Sequence, residues 1–90
     1  MTVRIFKLVT GEDIIASATE HAADFALKSP AVIMLQNTEN GMSVAIAPYA
    51  PMIEKNLLLY KTAIVSYGDP DIQLENEYNV RFGSGLILAK

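Results

Sequence analysis

Ninety residues suffice for one domain and are too few for two separate cores. Seven Lys+Arg stand against ten Asp+Glu, and the net charge of -3 disfavours indiscriminate binding to nucleic acid or anionic membranes. No cysteine is present, which excludes disulfide staples, thiolate zinc sites and cysteine nucleophiles.

Apolar residues make up 51% of the chain and charged residues 19%. A domain this small hides only about 60% of its unfolded surface, so apolar groups are expected outside, a first pointer to an oligomer. The same composition excludes a disordered chain. No run approaches the roughly 18 apolar residues of a membrane span. Arg4 and Lys7 interrupt the apolar N-terminal stretch, so no secretory leader is expected and the protein is expected inside the cell.

Residues 3–9, VRIFKLV, read as a strand that stops at Thr10-Gly11, and EDIIASATE from Glu12 reads as a second. The third begins near Asp24, with Phe25 and Leu27 on one face and Ala26 and Lys28 on the other. Beyond Pro30 both faces are apolar from Ala31 to Leu35, which predicts burial on two sides or pairing with a neighbour. Asn40-Gly41 is the strongest turn signal and suits a positive-φ hairpin. A fourth strand follows, bent or broken by Pro48 and Pro51, and residues 56–69 form one or two more. Within Leu59–Tyr67, alternation predicts Tyr60, Thr62, Ile64 and Ser66 on one face. Leu59, Lys61, Ala63, Val65 and Tyr67 then take the other.

The helix signal comes last, over residues 70–82. Asp69 is the expected cap, Pro70 the first helical residue and Asp71 a first-turn acid. Leu74, Tyr78 and Phe82 share one side, Gly83 ends the helix, and the tail LILA reads as an edge strand. Five or six strands followed by one helix predict a mainly β protein, a small antiparallel barrel.

Chemistry is sparse. His21 is the only histidine and reads as a solvated turn residue beside Glu20. Glu12-Asp13 and Asp69–Asp71 are acids of the kind that turns and helix starts use for local reasons. The FGSG near the end lacks the spacing of a phosphate loop. No catalytic residue, metal or cofactor is expected, and the protein is not read as an enzyme.

Lys61 is the informative residue. An ammonium amid Leu59, Ala63 and Val65 must reach water or an anion. It is either a snorkelling surface lysine or a cation presented with Tyr60 to a phosphate or a base. Tyr60-Lys61-Thr62-Ala63-Ile64 resembles the Tyr-Lys-His-Ala-Ile signature in the second Sm motif of the bacterial RNA chaperone Hfq. The strand–Thr10-Gly11–strand opening, closed by Phe25-Ala26-Leu27-Lys28, resembles the first Sm motif. Taken whole, with PAVI, APY, YK-AIV and NEYN–FGSG in order, the chain resembles the Sm-like (LSm, Hfq-like) proteins of cyanophages.

The resemblance implies a strongly bent five-stranded Sm-like barrel over about residues 3–68, with the helix 70–82 after it. It also implies a cytoplasmic protein of a bacterial host and a homo-oligomeric ring of about five to seven subunits, five favoured. Lateral pairing is expected through Ala31–Leu35 or Leu57–Leu59. The implied ligand is single-stranded RNA in a chaperone-type role. Its candidate contacts are Lys61, Tyr60 and Thr62 at the turn, Phe25 and Lys28 on the third strand, and Arg4 and Lys7 on the first.

The chain also departs from the pattern. Family members open on a helix, whereas residues 3–9 here read as a strand. Ala22-Ala23 stands where Hfq has a Gln-Phe pair, and Thr62 replaces its histidine. The alternative is therefore a protein-binding ring, a scaffold or host-factor modulator that binds no RNA. A third reading is a small-molecule barrel, or an enzyme built on the carboxylates.

Overall fold

A computed structural model describes residues 1–53 and 55–82. Six strands, β1 (Thr2–Leu8), β2 (Asp13–Glu20), β3 (Asp24–Thr38), β4 (Gly41–Pro48), β5 (Leu57–Tyr60) and β6 (Ile64–Gly68), precede one helix, α1 (Ile72–Arg81). All strand pairs are antiparallel, in the order β4-β3-β2-β1-β6, with β5 pairing β3 off this path. The expected five-stranded barrel is thus corrected to an open six-stranded sheet.

The reason lies in β3, which is 15 residues long and serves two partners on one side. Its distal half pairs β4 from Thr38↔Gly41 to Ala31↔Pro48, and its proximal half pairs β5 from Leu27↔Leu57 to Asp24↔Tyr60. One edge of the sheet is therefore β4 followed by β5, and the other is β6. Residues Ala31–Ile33 lie between β2 and β4, so that segment has no free edge for lateral pairing, whereas Leu57–Leu59 lies on the outside.

Turn chemistry sets the hairpins. Gly11 and Gly41 have φ of 102° and 110°, a region that L side chains adopt only with strain. At the β3–β4 hairpin the Thr38 hydroxyl donates to the Gly41 carbonyl (2.7 Å) and accepts from the Asn40 amide (3.2 Å). A β-bulge marks the centre of β3. The β2–β3 register passes from Ile15↔Ala31 to Ser17↔Lys28, leaving one extra residue on β3, and Ser29 there has φ 52°.

Side chains alternate across the sheet to build two buried clusters, one on each face, where the chain length predicts a single core. Phe6, Leu8, Ile14, Phe25, Leu27 and Leu59 fill one face. Ile15, Ala31, Ile46 and Tyr78 fill the other, with Leu74 and Phe82 packed against them as their spacing by four predicts. The helix covers this second face. It starts later than expected: Asp71, not Asp69, is the cap, accepting from the Leu74 amide at 2.8 Å. Asp69 is drawn instead to Arg4, 3.2 Å away.

Two further expectations are corrected. Alternation does not run through Leu59–Tyr67, because Lys61–Ala63 forms a 3-10 turn between β5 and β6. Ala63 and Ile64 consequently both pack on the first core. Nor is burial on both sides, one of the two expectations for Ala31–Leu35, met over its whole length. β2 pairing stops at Asp13↔Ile33, so the β3–β4 hairpin projects past it and leaves Met34, Leu35, Met42 and Val44 exposed. No helix among the described residues is long and apolar enough to cross a membrane. The expected Gly83 stop and the LILA strand lie outside the described residues.

Candidate nucleic-acid interface

Lys61 opens the 3-10 turn, and its backbone amide donates to the Ala23 carbonyl at 2.9 Å, fastening the turn to the β2–β3 connection. Its ammonium donates to Glu20 Oε2 at 2.8 Å and stands 5.3 Å from the Phe25 ring centroid. The Lys61 hydrogen bond, then the Lys61 charge, and to a smaller degree Arg4, hold the Glu20 carboxyl below the usual glutamate range. Lys61 is therefore a snorkelling lysine with a carboxylate already in place.

Tyr67 sits beside it. In the β1–β6 register it faces Phe6, and its ring lies 5.0 Å from Phe25 and 5.9 Å from Phe6. Both phenylalanines are fully buried, while Tyr67 keeps about half its surface in solvent, closing the aromatic cluster from outside. The Arg4 guanidinium stands 5.8 Å from the Tyr67 centroid and pairs with Asp69. Lys61, Ser66 and Tyr67 with Ile64 and Val65 border a shallow concavity of about 300 Å³. A flat exposed ring with a guanidinium and an ammonium beside it can stack a base and meet its phosphate.

The structure brings some of the sequence-predicted residues together. Lys61 and Arg4 share this surface, with Tyr60 and Thr62 exposed on and beside the turn. Phe25 is corrected: with 0% exposure it is the floor of the site and no stacking face. Lys7 shares its face of β1 with Ile5 rather than with Arg4, and pairs with Asp13 at 2.9 Å. Lys28 borders a different cleft, at the C-terminal end of the helix. Tyr67, Glu20 and Asp69 were missed as partners, and only the register of β6 on β1 makes Tyr67 visible.

The His21 ring and the Asp24 carboxylate meet at 2.8 Å on the exposed β2–β3 turn. No three His, Asp or Glu side chains gather as a metal site among the described residues. Neither a family model nor a curated protein matches the chain.

Proposed function

We propose that the chain is a subunit of an Sm-like homo-oligomeric ring that binds single-stranded RNA in a chaperone-type role. The observation carrying the RNA reading is the half-exposed Tyr67 ring, set on a rigid aromatic floor with Arg4 and Lys61 beside it. Stacking on such a ring is tolerant of base identity, and a ring of copies multiplies one weak site into avidity. Assembly is supported by two edges, at opposite ends of the sheet path, that pair with no other strand among the described residues. Joining β4 and β5 of one copy to β6 of the next removes both, and Val44 and Val65 with them, from water.

A second reading, a protein-binding scaffold without RNA, is favoured by one observation. Lys61, Arg4 and Lys7 are each paired with a carboxylate, so a phosphate must compete with Glu20, Asp69 or Asp13. A salt titration with a labelled single-stranded oligonucleotide tests the choice. Expected are affinity that falls steeply with salt and its loss in Tyr67→Ala with assembly intact. An oligonucleotide that does not bind at low salt, or that ignores Tyr67→Ala, leaves the scaffold.

A further inference from the structure

The helix covers only part of its own face of the sheet. Ile15, Ala31 and Ile46 lie beneath it, and Ile33 packs against them. Alternation carries the same face onto the projecting hairpin, where the register sets Ile33↔Ile46, then Leu35↔Val44, then Asn37↔Met42. Leu35, Val44 and Met42 are each more than half exposed. The buried apolar layer thus continues past the helix as an exposed strip. Where helix and hairpin meet, Val44 and Leu74 with Asp71, Gln73 and Glu77 border a concavity of about 210 Å³.

Its charge selects what can cover it. Residues 29–53 and 62–80, which supply both walls, carry Glu39, Asp69, Asp71, Glu75 and Glu77 and no lysine or arginine. Asp71 caps the helix through Oδ1, and Glu77 meets Arg81 at 3.5 Å with both side chains about half in water. Such an exposed pair is weak and readily exchanged for a better one. Lys7, on the same face of β1, is paired with Asp13. Phosphates and anionic lipids are repelled here, and a second copy of this face would set acid against acid.

We propose that this groove takes a basic amphipathic helix of a partner protein. Its apolar side chains lie on Leu35, Val44 and Met42, and its lysines or arginines reach Asp71 and Glu77. What stands open is a sheet face beside a helix already packed on it, which is the geometry of helix-in-groove recognition. The site rests on neither reading above. Tyr67 faces Phe6 on the opposite face, and edge joining uses the backbone of β4, whereas Leu35 stands one strand inward.

The test is fluorescence anisotropy of the full chain titrated into a labelled peptide with leucines on one helical face and lysines on the other. One control peptide replaces lysine by glutamate, and another scrambles the same residues so that no apolar face remains. The Leu/Lys peptide is expected to bind at least about tenfold more tightly than either control. Leu35→Ser with Met42→Ser, both exposed positions, is expected to weaken it at least about tenfold. Asp71→Asn with Glu77→Gln is expected to weaken it several-fold, and asparagine still caps the helix. Thermal unfolding verifies that each variant folds. A control peptide that binds as well, or indifference to either double variant, overturns the proposal. So do two other results. A smaller oligomer of Leu35→Ser with Met42→Ser in sedimentation velocity gives the groove to a second copy. Displacement of the Leu/Lys peptide by a peptide of residues 83–90 gives it to the chain's own C-terminal segment.

Discussion

The Tyr78 hydroxyl accepts the Ser17 amide at 3.1 Å, joining the helix to a strand 61 residues away in the chain. The same hydroxyl points its proton at the carbonyls of Lys28 (2.9 Å) and Ser29 (2.8 Å). Those groups flank the β3 bulge, where the β2–β3 ladder skips a step. A bulge leaves backbone groups without ladder partners, and buried ones must be satisfied elsewhere. One phenol from the helix does so, which explains why the helix docks at the bulge and why Tyr78 is fully buried.

Tyr78→Phe keeps the ring in place and strips the bulge of its partner. The loss is expected to be about 1–3 kcal/mol, the desolvation cost of buried groups left unpaired. For a domain of this size each kcal/mol lowers Tm by roughly 4–8 °C. A Tm within measurement error of wild type would show that water replaces the hydroxyl. Burial also raises the Tyr78 phenol above its ordinary value of 10.0. The stability tied to the neutral phenol is therefore present below that value and lost as pH rises through the folded-state value. Phenolate absorbance should show a tyrosine ionising above that ordinary value, and Tyr78→Phe should remove that step.

Glu20 is the acid-side counterpart. Its folded-state pKa lies below the ordinary 4.5, chiefly through the Lys61 hydrogen bond. Its contribution is thus present above the unfolded value and fades as pH falls through the folded one. An NMR titration of the Glu20 carboxyl should move up toward the ordinary value in Lys61→Met. An unchanged midpoint there would mean that the pair does not form in solution.

The same pair restrains the proposed RNA surface. Glu20→Gln removes the charge competing for Lys61 while keeping the side-chain size. Oligonucleotide affinity is expected to rise several-fold, and the salt dependence to steepen by about one phosphate contact. Weaker binding would show that Glu20 positions Lys61 productively instead.

Val65 is 64% exposed on the β6 edge, so Val65→Glu removes little from the fold. In an edge-to-edge assembly it places a charge in the seam. Sedimentation velocity is expected to show wild type as one closed oligomer and the variant as a folded monomer. Wild type sedimenting as a monomer would remove the ring and the avidity built on it.

What could be read from the chain follows where its punctuation lies. Gly11, Gly41 and the acids before Ile72 mark their turns with residues chosen for backbone reasons, and the strands between them were legible. The 3-10 turn at Lys61–Ala63 carries neither glycine nor proline, so the run around it reads as unbroken alternation. Phe25 was identified as an aromatic of interest, yet its burial depends on Phe6 and Tyr67, which only strand pairing brings near. Lys61 stands out in the sequence as an ammonium that must reach water or an anion. That the anion is its own Glu20, 41 positions earlier, is a property of register and invisible in composition.

Among the described residues, the two open edges of the sheet belong to different strands, β6 on one side and β4 with β5 on the other. A copy damaged at one edge still presents the other intact. If copies join head to tail, such a subunit does not merely fail to assemble. It attaches to a growing arc through its good edge and terminates it. Co-expressed with wild type, an edge variant would behave as a dominant poison, disabling more rings than its own share of the pool, while a variant damaged at both edges would be recessive.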